Sequence, residues 1–350
     1  MADFTTDVAI IGAGPSGLFM VFEAGFLGYR AVVLDSLPQV GGQLAALYPE
    51  KPIYDVPGHP HILAGDLVAK LQQQAAPYQP TYLLHEAVTD LYALPDDAGF
   101  LLTRAGGQTV QARVVVVAGG GGLFAPRKPA GLANLAAYEA TGSVAYAITN
   151  KAKFADQTIV LAGGGDSAVD WAVELASHPT HAAAHVHVVH RRAEFRAAEA
   201  TVAQMLALAD QGKITLHTPY ELKELHGPNG HLERLTLADP NGVTRAVEAS
   251  ALVCCFGLQP QAGALESWNL GLERGIIPVD RTTMQTRRPG LLCIGDMAGY
   301  EGKVPLILTG FAEAAVAAKT CQAILNPEKK FKVQYSTSKG VPNVAAPAGA

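Results

Sequence analysis

Three glycines and one acid near the N-terminus have the types and the spacing to bind a dinucleotide. Gly12, Gly14 and Gly17 follow the pattern G-x-G-x-x-G, and Asp35 comes later in the same stretch. In this pattern the first glycine permits a tight turn, the second a close approach to a pyrophosphate, and the third close packing of a helix. Asp35 can accept hydrogen bonds from both hydroxyls of an adenosine ribose.

A strand–helix–strand unit must position these residues, and the sequence predicts one. The apolar runs 8–11 and 31–34 predict buried strands, and an apolar helical segment lies between them. The glycines end the first strand and Asp35 ends the second, so the phosphates would lie at a helix N-terminus, where free N–H groups favour negative charge. The alternative is a glycine-rich loop without a ligand, and the order of the elements argues against it.

The same arrangement occurs a second time in the middle of the chain. Residues 158–162 predict a strand, Gly163, Gly165 and Ala168 fill the pattern G-x-G-x-x-A, and a helical segment follows. A second dinucleotide site is therefore predicted. The segment between the two units, around residues 123–129, is rich in proline and glycine and predicts a connection leaving the first domain.

The two units differ in the charge that follows their second strand. Where the first unit has Asp35, the second has His190, then Arg191 and Arg192, with Arg196 one turn further on. Arginine side chains pair with phosphate oxygens, so these cations favour a ribose that carries a 2′-phosphate. The alternative is a solvated basic turn.

Two further stretches are predicted to lie at a ligand site. The loop after Asp35 contains Gln43, Tyr48 and Tyr54, although the tyrosines could simply pack the loop. The predicted strand 291–294 stops at Asp296, an acid that can bond a ligand hydroxyl, and the predicted helix 306–323 would direct its N-terminus at the same place.

Composition limits the class of protein. The chain has 350 residues, 49% of them hydrophobic and 16% charged, which predicts a globular protein of two domains. A formal net charge of −5 argues against nucleic-acid binding, and no apolar run is long enough to cross a bilayer. The four cysteines form neither a disulfide framework nor a zinc spacing and the histidines show no metal-ligand spacing, so we expect a cytoplasmic protein without a metal.

Several longer motifs resemble the thioredoxin reductase superfamily, and within it the thioredoxin-reductase-like ferredoxin–NADP+ reductases. Thioredoxin reductases carry a redox-active C-x-x-C before the second glycine pattern, whereas residues 144–154 here contain no cysteine. The resemblance covers nearly the whole chain. The motifs are L-P-Q-V-G-G-Q-L-A-A-L-Y-P-E-K (37–51), G-G-G-D-S-A-V-D-W-A (163–172), H-R-R-x-x-F-R-A (190–197), Y-E-G-K-V (300–304) and S-T-S (336–338).

The two units and the resemblance together predict an α/β fold. It comprises two Rossmann-like dinucleotide-binding domains, of the three-layer ββα type, with the NADPH domain inserted into the FAD domain. The predicted FAD-binding domain is 1–122 with 284–340, the NADP(H)-binding domain is 123–283, and 341–350 is a disordered tail.

The resemblance also implies roles for single residues. Tyr48 would stack on one face of the isoalloxazine, and Tyr335 would cover the other face in the partner subunit of a homodimer, where it would gate access of the nicotinamide. The residues predicted to hold FAD are Gly12, Gly14, Ser16, Gly17, Asp35, Gln43, Tyr48, Val88, Asp296, Tyr335 and Ser336. The residues predicted to hold NADPH are Gly163, Gly165, Asp166, Ser167, Ala168, Arg191, Arg192 and Arg196.

The implied activity is ferredoxin–NADP+ reduction: hydride transfer between NADPH and FAD, and single-electron transfer between FAD and ferredoxin or flavodoxin. Three alternatives stay open at this point: a diaphorase acting on a quinone or another small acceptor, a disulfide or metal reductase using Cys254 and Cys255, and a redox sensor without turnover. Because ferredoxins are acidic, a basic docking face is expected. Its candidate residues are Arg127, Lys128, Lys329, Lys330, Lys332 and Lys339.

Overall fold

The computed structural model describes residues 2–260 and 263–342 and divides the chain into two compact units. The first unit is Met1–Phe124 with Pro260–Ala350, and the second is Ala125–Gln259. The second unit is therefore an insertion in the first, as the α/β prediction requires. Of the predicted disordered tail 341–350, the part from 343 on lies outside the described residues.

Helices are numbered in chain order. The α-helices are α1 (Pro15–Phe26), α2 (Gly42–Leu47), α3 (Ala64–Ala75), α4 (Leu135–Ala140), α5 (Asp166–Ser177), α6 (Glu199–Asp210), α7 (Ile307–Leu325) and α8 (Ser336–Lys339). Short 3-10 turns occupy Ala76–Tyr78, Pro95–Asp97, Lys151–Phe154, Pro228–Gly230, Ala264–Trp268 and Gly295–Met297. None of the helices in the described part of the chain is both long and apolar enough to cross a bilayer.

Strands are numbered in the same way. They are β1 (Phe4–Ile11), β2 (Ala31–Leu34), β3 (Pro52–Ile53), β4 (Ile62–Leu63), β5 (Thr81–Leu83), β6 (Val88–Ala93), β7 (Phe100–Arg104), β8 (Thr109–Val117), β9 (Phe124–Pro126), β10 (Val144–Ala145), β11 (Thr158–Ala162), β12 (His185–Val189), β13 (Ile214–His217), β14 (Glu221–His226), β15 (Arg234–Ala238), β16 (Thr244–Glu248), β17 (Ala251–Cys254), β18 (Leu258–Pro260), β19 (Ile277–Pro278), β20 (Leu291–Cys293) and β21 (Ala298–Gly299).

The first unit is built on a mixed sheet with the strand order β5-β2-β1-β8-β7-β6. The strands β5, β2, β1 and β8 are parallel, β20 joins the carboxyl-terminal half of β8 in parallel, and β7 and β6 continue the sheet antiparallel. The central strands are buried on both faces, which is why their sequences are nearly continuous runs of Val, Ile and Ala. Helices α1 and α7 pack on this sheet.

The second unit contains a five-stranded parallel sheet with the order β10-β17-β11-β12-β13, and a three-stranded antiparallel sheet β14-β15-β16. Two N-G pairs, Asn229–Gly230 and Asn241–Gly242, lie in the connections between the strands of the antiparallel sheet. Both predicted strand–helix–strand units therefore form, β1-α1-β2 in the first unit and β11-α5-β12 in the second.

The return to the first unit comes earlier in the chain than the sequence predicts. The prediction placed it at residue 284, whereas the structure returns at Pro260. The reason is packing: Trp268, Leu270 and Ile277 are buried in the same apolar cluster as Leu34 and Val117 of the first sheet. In the described part of this segment, from residue 263 on, the regular elements are one turn at Ala264–Trp268 and the two-residue strand β19, so its sequence carries little sign of the unit it joins.

Candidate functional site

The first glycine loop leaves open space where a phosphate would approach. Strands β1 and β2 end in register, with Ile11 opposite Leu34, so Gly12 and Asp35 are neighbours at the carboxyl edge of the sheet. A Cβ on Gly12 would lie 2.2 Å from the Ala118 carbonyl oxygen, and one on Gly17 would lie 1.9 Å from the Gly12 carbonyl oxygen. Both positions therefore require glycine.

Gly14 is the member of the loop with open space where a side chain would lie. It is the N-cap of α1, no side chain caps that helix, and the position of a Cβ on Gly14 has no protein atom within 4 Å. The uncapped N–H groups of α1 therefore face open space. This cradle fits the pyrophosphate of a dinucleotide.

Asp35 is held against the glycine loop by two backbone hydrogen bonds. One carboxylate oxygen accepts from Ala13 N at 2.7 Å and the other from Leu37 N at 2.8 Å. Burial raises the pKa of this carboxyl, and the backbone donors partly oppose the rise. Each oxygen keeps a lone pair for a ribose hydroxyl, so the predicted role is compatible with these bonds.

Three more segments of the first unit converge on this loop. An added Cβ on Gly42 would lie 3.1 Å from the Gly14 Cα, and one on Gly121 would lie 2.7 Å from Gln43 Nε2. An added Cβ on Gly119 would lie 3.2 Å from Met297 Cε. The start of α2, the glycine run after β8 and the turn after β20 therefore meet at the first glycine loop, and Gln43 lies among them.

Tyr48 and Asp296 lie close enough to interact. Burial, together with the charge of Asp296, raises the pKa of the half-buried Tyr48. Asp296 itself is exposed, directly after the buried strand β20. Tyr54, by contrast, is 71% exposed and contacts His61 across 6.4 Å between ring centroids. Of the two loop tyrosines, only Tyr48 is placed with the other candidates.

Of the remaining candidates of the first unit, Ser16 lies at the turn that carries Asp296, whereas Val88 and Tyr335 lie elsewhere. Ser16 packs against the turn after β20, because a Cβ on Gly295 would lie 3.0 Å from its Oγ. Val88 packs on the apolar cluster that contains Leu34. Tyr335, 68% exposed, precedes α8, whose Lys339 lies 4.7 Å from the Phe26 ring at the opposite end of α1 from the glycine loop.

The second glycine loop repeats the first in detail. Gly163 N donates to the Val189 carbonyl at 2.9 Å, as Gly12 N donates to Leu34 at 2.8 Å. A Cβ on Gly163 would lie 2.7 Å from the Cys255 carbonyl oxygen, whereas no protein atom lies within 4 Å of the corresponding position on Gly165. Gly165 is also the uncapped N-cap of α5. The second loop therefore leaves the same open space beside a helix N-terminus and could receive a second pyrophosphate.

The basic loop that follows β12 is fastened to this second glycine loop. Arg196 N donates to the Gly164 carbonyl at 2.7 Å, and Ala198 N donates to a carboxylate oxygen of Asp166 at 2.9 Å. The His190 ring covers Gly164 and stacks on Phe195 at 5.4 Å. The structure therefore brings the predicted NADPH residues to one edge of the second sheet.

The charge on this loop is consistent with a site for an anion. The side chains of Arg191, Arg192 and Arg196 are exposed, and their charges add to burial in lowering the pKa of His190. His190 Nε2 is buried without a hydrogen-bond partner. Three cations thus lie beside a neutral imidazole, next to a helix N-terminus, an arrangement that could accept an anion.

Cys254 and Cys255 are poorly suited to thiol chemistry. Burial raises the pKa of both thiols, that of Cys255 to about 11, although a hydrogen bond with Ser167 lowers it in part. Neither is a thiolate at neutral pH. This observation counts against the vicinal-cysteine reductase. Within residues 2–260 and 263–342, no cluster of three or more His, Cys, Asp or Glu side chains could hold a metal ion.

The predicted docking lysines are not equally available. Lys128 pairs with Glu139, at 2.7 Å to one carboxylate oxygen and 2.9 Å to the other. Lys339 donates to the Phe26 carbonyl. Lys329, Lys330 and Lys332 are exposed. The charge available to a partner is therefore concentrated in these three lysines and in the exposed Arg127.

Sequence reasoning missed a buried polar cluster behind Asp296. Glu313, on α7, is 2% exposed and contacts Lys303, Tyr300 and the Gly295 amide. The motif Y-E-G-K supplies two of these residues and was a usable signal. Glu313 lies in an apolar helix that gives no sign of a partner for its charge.

Comparison with known proteins relates the whole chain to a family. Residues 6–320 match the family model of the pyridine nucleotide-disulphide oxidoreductases. A ferredoxin–NADP reductase from Granulibacter bethesdensis is 48% identical, covering 96% of this chain and 94% of the relative. One from Paramagnetospirillum magneticum is 45% identical, covering 98% of this chain and 99% of the relative.

Solved structures support the same fold. The thioredoxin reductase of Lactococcus lactis superposes with a TM-score of 0.71, at 22% identity, covering 91% of this chain and 99% of that one. The thioredoxin reductase of T. acidophilum gives 0.72, at 21% identity, covering 92% and 99%. At this level of identity the likeness shows the two-domain α/β flavoprotein fold alone.

Proposed function

The chain belongs to the pyridine nucleotide-disulphide oxidoreductase family, and we propose that within it the protein is an FAD-dependent ferredoxin–NADP+ reductase. The observation that carries this conclusion is near-full-length identity of 44–48% to relatives named ferredoxin–NADP reductase. The cofactors are FAD and NADP(H). When bound, the flavin supplies the chemistry, accepting hydride from NADPH and releasing single electrons.

The residues of the first unit bind and orient FAD in this proposal. The α1 N-terminus and Gly14 receive the pyrophosphate, and Asp35 receives the adenosine ribose. Asp296 bonds the ribityl chain, and Tyr48 stacks on one face of the isoalloxazine. The support is the open space at Gly14, the bond from Ala13 N that holds Asp35 against the same loop, and the charge of Asp296, which adds to burial in raising the pKa of Tyr48.

In the second unit, the α5 N-terminus and Gly165 receive the NADPH pyrophosphate, and Arg191 and Arg192 receive the 2′-phosphate. The support is the fastening of the basic loop to the glycine loop through Arg196 N and Asp166. These two bonds fix the basic loop relative to the α5 N-terminus before the ligand binds. Less conformational entropy is therefore lost on binding.

We also propose that the protein works as a cytoplasmic homodimer, in which Tyr335 covers the flavin of the other subunit. Tyr335 is 68% exposed and is held, through α8, near the far end of α1. It is therefore free for a neighbouring subunit. Tyr335→Ser should retain FAD and change the rate at which NADPH reduces the flavin, whereas unchanged kinetics in a protein that is dimeric by light scattering would contradict the assignment.

The deciding experiment is NADPH-dependent reduction of cytochrome c by the FAD-loaded protein, with and without a bacterial-type ferredoxin, across a salt series. Strong dependence on ferredoxin that weakens with salt is expected, because docking of an acidic partner is electrostatic. NADPH oxidation that is indifferent to ferredoxin would instead indicate a diaphorase.

A matched pair of variants locates the docking face. Reversing the charges of Lys329, Lys330 and Lys332 to Glu should lower ferredoxin reduction about tenfold or more and leave NADPH–ferricyanide turnover unchanged. Lys128→Glu is the control, since the charge of Lys128 is already paired with Glu139. Equal effects of the two variants would contradict a docking face at residues 329–332.

A further inference from the structure

A buried ion pair lies directly behind the Asp296 turn. Lys303 Nζ and a carboxylate oxygen of Glu313 are 2.6 Å apart, and the two side chains are 9% and 3% exposed. The Tyr300 hydroxyl donates to the same Glu313 oxygen at 2.7 Å. Charged residues are seldom so deeply buried unless they are paired.

The pair is also bonded to the backbone on both sides of Gly295. The second carboxylate oxygen of Glu313 accepts from Gly295 N at 2.7 Å, and Lys303 Nζ donates to the Gly295 carbonyl at 2.5 Å. The two peptide groups that flank Gly295 are thus bonded by side chains, although Ile294, one residue earlier, still bonds Val117 across the sheet. The second of these peptides contains the amide of Asp296.

The same turn is fixed from its other side by α1. Gly295 has φ +72° and a Cβ there would lie 3.0 Å from Ser16 Oγ, while a Cβ on Gly310 of α7 would lie 2.1 Å from that atom. The first turn of α1, the turn that carries Asp296 and the first turns of α7 are thus packed together around Ser16. The ion pair contributes two buried charges to this junction.

A buried ion pair is weak support for stability, because an apolar pair of the same volume often stabilises a fold equally well. The bonds from both side chains to the Gly295 peptides indicate instead that the pair fixes the orientation of this turn. We propose that Lys303 and Glu313 are positioning residues that hold the Gly295 peptides, direct Asp296 at the FAD and set the reduction potential of the bound flavin.

This inference depends on the FAD binding of the proposed function and is independent of the electron acceptor. Reduction of the flavin brings negative charge onto the isoalloxazine. A nearby carboxylate left without its cation therefore opposes reduction, and a nearby cation left without its carboxylate favours it. The two single-charge deletions must act in opposite directions.

The test is the midpoint potential of the FAD-loaded protein, measured by equilibration with a reference dye at fixed pH and ionic strength. Lys303→Met should lower the potential, because it removes the cation and leaves the Glu313 carboxylate without its ion-pair partner. Glu313→Gln should raise it. We expect about a tenfold change in the ratio of oxidised to reduced FAD affinity in each case, which is about 30 mV for a two-electron couple.

Exposed charges close to the same place in the chain provide the controls. Glu301→Gln and Lys319→Met delete one charge each from side chains in solvent and should leave the potential unchanged. Shifts of the same sign in Lys303→Met and Glu313→Gln, or shifts no larger than those of the controls, would overturn the inference.

A second measurement covers the case in which a single variant does not fold with FAD. Lys303→Met combined with Glu313→Leu leaves no uncompensated charge and removes both backbone bonds. It should fold and bind FAD about tenfold more weakly. Unchanged FAD affinity would contradict the positioning role.

The outcomes separate this inference from the proposed function. A wild-type protein purified without flavin, and unable to take it up, would contradict both. A flavoprotein that fails to reduce ferredoxin would contradict only the proposed acceptor, because the opposite shifts in potential would still be measurable.

Discussion

We expect Arg191 and Arg192 to decide which nicotinamide cofactor the second unit accepts. Replacing both with Ala should raise the KM for NADPH about a hundredfold or more and leave the KM for NADH within about twofold, because two charge-assisted hydrogen bonds to a phosphate, of about 1.5–3 kcal/mol each, are lost. Steady-state kinetics with the two cofactors measures the effect.

Arg234→Ala provides the control for this prediction. Arg234 is an exposed arginine of the same unit, on β15, and its loss changes the overall charge without touching the basic loop. A rise in the KM for NADH equal to that for NADPH would contradict the 2′-phosphate assignment.

Cys255 is a packing residue at the glycine loop. Its thiol pKa is raised to about 11, so less than a thousandth of it is ionised at pH 7. Cys255→Ser should keep NADPH-dependent turnover within about twofold. A loss of a hundredfold or more, with FAD still bound, would return the vicinal-cysteine reductase to consideration.

At the scale of elements, α1 and α7 meet through glycine. A Cβ on Gly310 would lie 2.1 Å from Ser16 Oγ and 3.3 Å from Ser16 Cβ. Gly310→Ala should therefore lower the free energy of unfolding by about 2–3 kcal/mol, although Ala has a better helix propensity than Gly. Thermal unfolding, followed by circular dichroism, measures the loss.

A double-mutant cycle isolates this contact. Ser16→Gly removes both of the atoms that a Cβ on Gly310 would meet. In a Ser16→Gly background, Gly310→Ala should therefore lower the free energy of unfolding much less than it does in the wild-type protein. Additive losses would mean that Ser16 is not the obstacle.

The elements that the sequence predicted are those whose signal is local. β1, α1 and β2 follow from a run of apolar residues, a glycine spacing and an acid that all lie within one unit, and β11, α5 and β12 follow in the same way. The return at Pro260 was missed because Trp268 and Leu270 are buried by residues distant in the chain, in a segment without periodicity.

In the candidate site, too, the sequence indicates the residues that stand in local motifs and misses those that only tertiary contacts bring together. Gly14, Asp35 and Gln43 stand in motifs, and the structure brings them together. Lys303 and Glu313 form one pair only because a turn and a helix fold back on the same glycine. Which of the six candidate docking cations is already paired is likewise a property of tertiary contacts, since Lys128 lies in a loop and its partner Glu139 lies on α4.

At the scale of the whole molecule, the two units can be followed separately. The chain has two tryptophans, and each unit buries one: Trp171 lies on α5 in the second unit and Trp268 lies in the first. In a Trp268→Phe background, the fluorescence of Trp171 therefore reports the unfolding of the second unit alone.

The second unit also contains a buried histidine pair. His187 Nδ1 and His217 Nε2 are 3.1 Å apart, on the adjacent strands β12 and β13. Burial lowers the pKa of each to about 4, and the charges of His185 and Arg245 act in the same direction. Burial likewise lowers the pKa of His190. These imidazoles are neutral in the folded unit at neutral pH.

Their neutrality makes the stability of the second unit depend on pH. In the unfolded chain a histidine takes up a proton below about pH 6.5, whereas in the folded unit His187 and His217 do so only near pH 4. The unfolded state therefore binds more protons between these values, and stability falls as the pH falls through that window. The loss should be on the order of 3 kcal/mol, with little further contribution from this pair below pH 4.

The measurement is urea unfolding of the Trp268→Phe protein, followed by Trp171 fluorescence between pH 7.5 and pH 4. Replacing the pair, as His187→Leu with His217→Phe, should remove most of the slope and leave the smaller part due to His190. His231→Gln, which changes an exposed histidine of the same unit, should keep the full slope. If the pair replacement and this control had equal slopes, the acid sensitivity would originate elsewhere than between β12 and β13.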